Sequence, residues 1–426
     1  MRQARHAHTD TFGLCARTWC GLPVLHREGY RPAPAGIKHQ VQKAAARPIS
    51  EERSMGQGKG IREVGYLDCA GGGQVVVKGN TAYVGNLTAP DGTIVVDVSD
   101  PRHPRELARL GMFVGTHSHK VRVAGDLMLV NRERNPYQLG APDDFKGGLG
   151  IYDVSRPSEP RLIAEWQTEG MGVHRFDFDG RFAYISPTVK GYLGNIVMIL
   201  DLKNPAKPEE VGRWWMPGQW IEGGEIPTWK GADNRCHHPL RLGNRLYTSY
   251  WFGGVVILDI EDMSRPKLVS HYDTSPPFPW PTHTALPVPF DVQGRRIMLV
   301  ADEDVRRRWD SYPSFLWVVD ITDETRPRPF ASFQVDGVDG SAVEDYTGCH
   351  QPCEIVTDTE IPVAWFAYGL RVIDIAKPHA PKEVAWYMPD VRSPATRVQS
   401  NDVTVDDRGL IYLLDRIRGL HILERT

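Results

Sequence analysis

Seven apolar runs ending in an acidic residue recur along the chain and leave few folds open. They are TIVVDVSDPRHP (Thr93 to Pro104), GIYDVSRPSEP (Gly150 to Pro160), VMILDLKNPAKP (Val197 to Pro208), VVILDIEDMSRP (Val255 to Pro266), LWVVDITDETRP (Leu316 to Pro327), LRVIDIAKPHAP (Leu370 to Pro381) and an incomplete LHILERT ending at Thr426. The recurring acids are Asp97, Asp153, Asp201, Asp259, Asp320, Asp374 and Glu424, spaced by 56, 48, 58, 61, 54 and 50 residues. A repeat of this period, with about four short strands in each unit, predicts propeller blades. A proline-bearing turn and a second strand (PRELARL, PRLIAEW, PEEVGRW) follow the runs. Each Asp is placed to accept backbone hydrogen bonds from that turn, a structural role.

Most units open with two strands around a tight turn, as in VVVKGNTAYVGN, VRVAGDLMLVN, FDFDGRFAYIS and LRLGNRLYTSY. Gly79-Asn80, Gly125-Asp126, Asp179-Gly180 and Gly243-Asn244 are hairpin dipeptides. The last unit lacks its fourth strand, and IREVGYLD (Ile61 to Asp68) resembles the fourth strand of the unit before it, PKEVAWY. The expectation is an all-β, seven-bladed β-propeller spanning residues 60–426, its ring closed by the N-terminal strand, which removes open sheet edges. Residues 1–54 carry 9 Lys/Arg against 4 Asp/Glu with neither a helical nor a strand period. They are expected to be a disordered extension or translated upstream sequence, outside the fold.

The runs VVDVSDP, VVILDI and RVIDI resemble the LVIVD-repeat family of β-propellers, and the likeness covers nearly the whole body of the chain. It implies a fold more than an activity. A more distant likeness is to selenium-binding proteins, including methanethiol oxidases, which are also propellers with histidines bearing on a metal. It carries no individual residue across to this chain.

Charge narrows the partners. Fifty basic against 53 acidic side chains give a net charge of −3, without the basic excess that phosphate backbones demand, so no nucleic-acid partner is expected. No apolar stretch approaches the roughly 18 residues of a membrane span. Six cysteines in 426 residues do not make a disulfide framework and suggest reduced thiols in a cytoplasmic protein. No dinucleotide fingerprint, phosphate loop or nucleophile elbow is present.

The histidines carry the functional signal. When the units are aligned on the first inward residue of their first strand (Val75, Val121, Phe176, Leu240, Leu286, Cys353, Val403), the two slots just before it hold His119, His174, His237, His238, His283 and His350. Fifteen histidines spread at random over 426 residues would place about half of one in those fourteen slots. The first strand of a blade is innermost, so its start lies near the axis. Neutral imidazoles converging there suit a divalent transition metal such as Fe, Cu, Zn or Mn. Gln351 and Asn401 occupy matching slots and are read as supports of the metal ligands or as substrate contacts. A single histidine in such a slot would more simply bond a neighbouring blade's backbone; six favour the metal. His117 stands one step out of phase, and His103, His271, His379 and His421 are expected at the surface.

Strand ends and loops near that face supply the other candidates. Glu303, Tyr346 and Arg132 are the expected catalytic side chains, and Trp220, Trp229 and Trp280 the walls of an apolar pocket. Cys236 and Cys349 adjoin ring histidines, as soft ligands or as inert buried thiols. The expected function is that of a metal-dependent oxidoreductase or lyase acting on a small, partly aromatic organic substrate. The alternative is a non-catalytic propeller that binds protein or peptide.

Overall fold

The structure, a computed structural model, describes residues 56–135, 138–229, 234–274, 278–304, 314–336, 347–391 and 395–426. The extension 1–54 and Tyr346 lie outside the described residues. Those residues form β-strands and no helix, hence no helix long and apolar enough to cross a membrane.

The strands assemble into antiparallel sheets of four in chain order. The first is Gly72–Lys78, Thr81–Asn86, Asp91–Asp97 and Arg105–Gly111, hydrogen-bonded in that sequence. Burial explains the composition of each position. In Asp91–Asp97 every residue from Gly92 to Val96 is buried, because both faces of the sheet are covered, and the strand reads as a continuous apolar run. The fourth strand is the outer edge and mixes exposed Arg105 with buried Ala108 and Leu110. Cores lie between neighbouring sheets. Leu129, Leu149 and Ile151 of one sheet pack against Phe176, Ile185, Met198 and Leu200 of the next.

The recurring acids perform the turn role expected of them. Oδ1 of Asp97, Asp153, Asp201, Asp259, Asp320 and Asp374 accepts the amide two residues on, at 3.0, 2.9, 2.7, 2.8, 2.9 and 2.8 Å. Arg105 and Arg161, at the start of the following strand, then reach Oδ2 of Asp97 and Asp153.

The units 234–272 and 282–333 merge into one eight-stranded sheet through the single pair Trp251–Thr282. At the N-terminus, Ile61–Leu67 pairs antiparallel with Gly419–Arg425, from Ile61 opposite Arg425 to Leu67 opposite Leu420. Gln57–Lys59 adds a fifth strand beside Lys382–Met388. Between these strands, Glu63 Oε2 accepts both the Tyr387 hydroxyl and His421 Nδ1, the latter at 2.7 Å. His421, expected at the surface, is wholly buried, because Glu63 on the N-terminal strand covers it.

The local feature that builds the site is a register shift at the start of the first strand. It falls between Gly72 and Gln74, Val173 and Phe176, Asn234 and His238, Thr282 and Thr284, and Ser400 and Asp402. A bulge leaves an amide without a ladder partner and re-aims side chains. Polar side chains on the second strand accept those amides: Asn131 takes Lys120 N at 2.7 Å, Ser186 takes Arg175 N at 2.9 Å and Ser249 takes His238 N at 3.1 Å.

Candidate metal centre

Five of the six slot-matched histidines form a continuous arc. Ring centroids are 5.1 Å apart for His119–His174, 4.9 Å for His174–His237, 4.5 Å for His237–His283 and 4.1 Å for His283–His350. His117 extends it, 4.9 Å from His119. Two carboxylates close the set. Glu133 Oε2 lies 2.8 Å from His174 Nδ1 and 3.6 Å from His117 Nδ1, and Glu303 lies 3.5 Å from His350 Nε2 and 3.9 Å from His283 Nε2. Ligand atoms of His117, His119 and Glu133 fall within 4.8 Å of one another, as do those of His237, His283 and Glu303.

Hydrogen bonds fix which nitrogen carries the proton. His237 Nδ1 faces the His283 carbonyl at 2.8 Å, so it must be the donor, and Nε2 bears a lone pair. His350 Nδ1 donates in the same way to the Asn401 carbonyl. His174 Nδ1 donates to Glu133, leaving its Nε2 a lone pair as well. His174 Nε2 and His237 Nε2 nevertheless stand 3.2 Å apart, two acceptors with no proton between them. That contact is repulsive in the bare protein and becomes favourable around a cation. An Nδ1–H held by a carboxylate or carbonyl, with Nε2 free, is the usual arrangement of a metal-ligating histidine. His117 Nδ1 adds a buried nitrogen with no hydrogen-bond partner among the described residues.

Burial keeps these rings neutral. It pushes His119, His237, His283 and His350 well below the ordinary imidazole range, and His174 down to about 4 against the pull of Glu133. Burial also raises the Glu303 carboxyl. Burial acts on Glu133 in the same sense, but His174 and His117 outweigh it and hold that carboxyl well below its usual range.

The residue after each ring histidine contributes to a second set of buried groups: Lys120, Arg175, His238, Thr284 and Gln351. His238 belongs here and not to the arc, with Nε2 3.4 Å from Arg122 Nη2 and 3.5 Å from Glu354. Arg175, 1% exposed, donates Nη1 to His283 Nε2 at 2.9 Å and to Gln351 Oε1 at 3.0 Å. Lys120 is 4% exposed; burial, then the neighbouring Arg175, pushes its ammonium well below the ordinary lysine range.

The remaining candidates are dispersed. Arg132 pairs with Glu165 and lies over Phe145, away from the histidines; strand alternation sends its neighbour Glu133 inward instead. Asn401 accepts Arg416 Nε at 2.6 Å and donates to the Gly73 carbonyl. Trp220 stacks on Tyr192 at 6.4 Å and is 39% exposed. Trp229 packs on the core around Met216 and Cys236, and Trp280 is buried one residue before Pro281, whose carbonyl accepts Glu303 N at 2.9 Å. Cys236 and Cys349 are buried free thiols raised well above their usual range by burial.

The aromatics that touch the arc are Trp251, 4.8 Å from His237, and Phe366, 4.3 Å from His350. Both have positive φ, 52° and 22°, rare for bulky side chains and costing about 1–3 kcal/mol each. Both stand three residues before a turn glycine, Gly254 and Gly369, at φ 71° and 72°. Arg235 covers Trp251 at 4.5 Å and Arg416 covers Phe366 at 5.2 Å, so the arc is flanked by two histidine–aromatic–arginine stacks.

Fold and centre together define a propeller-like all-β protein with buried His/Glu clusters able to hold metal. Residues 72–110, 143–168 and 242–274 match the LVIVD repeat. Among solved structures, the RRP9 WD40 repeats align with a TM-score of 0.56 at 9% identity over 91% of this chain and 99% of theirs. U3-55K aligns at 0.54 with 10% identity over 86% and 98%, and Saccharomyces cerevisiae Sqt1 at 0.51 with 8% identity over 82% of each chain. These likenesses concern the fold alone. No curated protein matches the sequence.

Proposed function

We propose that the chain is a metal-dependent enzyme, an oxidoreductase or a lyase, acting on a small, partly aromatic organic substrate at the axis of a seven-bladed propeller closed by the strand Ile61–Leu67. The observation that carries this reading is the 3.2 Å approach of two imidazole nitrogens whose protons are both committed elsewhere. A divalent ion there supplies Lewis-acid or redox chemistry. His174 and His237 present Nε2 to it, and ligand atoms of His283 and Glu303 lie within 4.8 Å of that of His237. Glu133 and the His283 carbonyl hold the first two rings in orientation. Glu303, beside His350 and raised by burial, is placed to hold or accept a proton. Trp251 and Phe366 wall the arc and exclude water from it.

Metal content of the purified full-length protein tests this reading. About one equivalent or more of Fe, Cu, Zn or Mn is expected, and none in a folded His174→Ala/His237→Ala/His283→Ala variant. Wild-type protein that retains no metal after reconstitution with each of the four would refute it.

A further inference from the structure

We propose that a second divalent transition ion, of the zinc or iron(II) class, binds at His117, His119 and Glu133, the end of the arc away from His350. The inference extends the metalloenzyme reading but stands on a different set of donors.

Pairing register brings these donors together. Thr116–His117 pairs antiparallel with Leu127–Arg134, and His117 stands directly opposite Glu133. Directly opposed residues project from the same face of the pair. His119 follows two residues on, its ring centroid 4.9 Å from that of His117. All three residues are buried, and one ligand atom from each lies within 4.8 Å of the others. His117 thus joins the arc although it is one step out of phase in the repeat.

The hydrogen bonding leaves lone pairs for an ion. His117 Nδ1 is buried, with no hydrogen-bond partner among the described residues. It stands 3.6 Å from Glu133 Oε2, too far for a hydrogen bond. Two ligands about 2.0–2.1 Å from a tetrahedral ion stand about 3.3–3.5 Å apart, close to that spacing. His119 Nδ1 lies 3.4 Å from Asn131 Nδ2, which already donates to the Val173 carbonyl at 3.0 Å. So long a contact does not commit the tautomer, and either nitrogen of His119 can present a lone pair. Glu133 Oε2 accepts His174 Nδ1 at 2.8 Å; a carboxylate has about four lone-pair sites, so ligation leaves that bond in place. Two imidazoles and a carboxylate are a donor set of both zinc and non-haem iron(II).

One ion cannot serve both ends of the arc. His174 stands between them, with Nδ1 on Glu133 and Nε2 3.2 Å from His237 Nε2. Glu133 is therefore a ligand of the second ion and, through His174, only the orienting group of the first. With three donors against the four of His174, His237, His283 and Glu303, the second ion is the weaker and exchanges during purification.

Equilibrium dialysis of the full chain against graded free zinc tests the proposal, with folding checked by thermal melting. The wild type is expected to take up about two equivalents, the second at least about tenfold more weakly than the first. His117→Ala/His119→Ala should lose the weaker equivalent and His237→Ala/His283→Ala the tighter one. The glutamine pair His117→Gln/His119→Gln, closer in volume, replaces the alanine pair if that does not fold. A second equivalent that survives substitution of His117 and His119 is adventitious and would overturn the proposal. A single equivalent that depends on His237 and His283 alone would also overturn it, leaving the metalloenzyme reading intact. A single equivalent that depends on His117 and His119 alone would uphold this site and refute the other, and no uptake would refute both.

Discussion

Replacing His237 by alanine is expected to lower zinc affinity by more than about 100-fold, and His174→Ala by a similar factor. Both rings present an Nε2 lone pair whose opposite nitrogen is already committed, to the His283 carbonyl and to Glu133. Glu133→Gln should cost less, about 10- to 100-fold, because it removes the group that orients His174 and not a ligand. His238→Ala should leave affinity nearly unchanged, since His238 turns to Arg122 and Glu354. Competition against a chromophoric chelator measures all four. If His238→Ala proved as damaging as His237→Ala, the centre would lie in the second set of residues and the assignment of ligands would be wrong.

Stability should depend as sharply on a residue far from the arc. Glu63→Ala is expected to destabilise the protein by about 3–5 kcal/mol, the usual cost of removing one member of a buried hydrogen-bonded charge cluster. Glu63 Oε2 is the shared acceptor of the Tyr387 hydroxyl and His421 Nδ1, and His421 Nε2 has no hydrogen-bond partner among the described residues to compensate. Tyr387→Phe, which removes one hydroxyl and leaves the carboxylate with His421, should cost only about 0.5–1.5 kcal/mol. Urea unfolding of the three proteins would measure this. A loss below about 1 kcal/mol for Glu63→Ala would mean that the contact between Ile61–Leu67 and the last strands contributes little to holding the sheets together.

How much of this was legible in the sequence follows from which signals are periodic. The apolar runs and their acids repeat, so the sheets and the turns at Asp97 to Asp374 could be read directly. The histidine cluster was legible for the same reason, as a slot recurring across units. The distinction between the two adjacent slots was not. Register shifts at the strand starts offset His119 and His174 by one residue from His237, His283 and His350, and only the folded bulges show that these five share a layer while His238 falls in the next. Glu133 was obscured by its neighbour Arg132, because which of two adjacent residues faces inward depends on pairing register. Trp251 and Phe366 left a trace, an aromatic three residues ahead of a turn glycine in WFGG and FAYG, but the trace acquires meaning only through backbone torsion. Arg175 and Lys120 could have been found as the residues that follow ring histidines in VHR and SHK.

The measurement closest to the central claim is X-ray absorption spectroscopy of the full-length protein loaded with one equivalent of zinc. A centre built on His237, His283 and Glu303, with His174 beside His237, should appear as a nitrogen/oxygen shell at about 2.0–2.1 Å with outer scattering from about two or three imidazoles. A sulfur shell at about 2.3 Å, or a spectrum of zinc bound without imidazole, would contradict it.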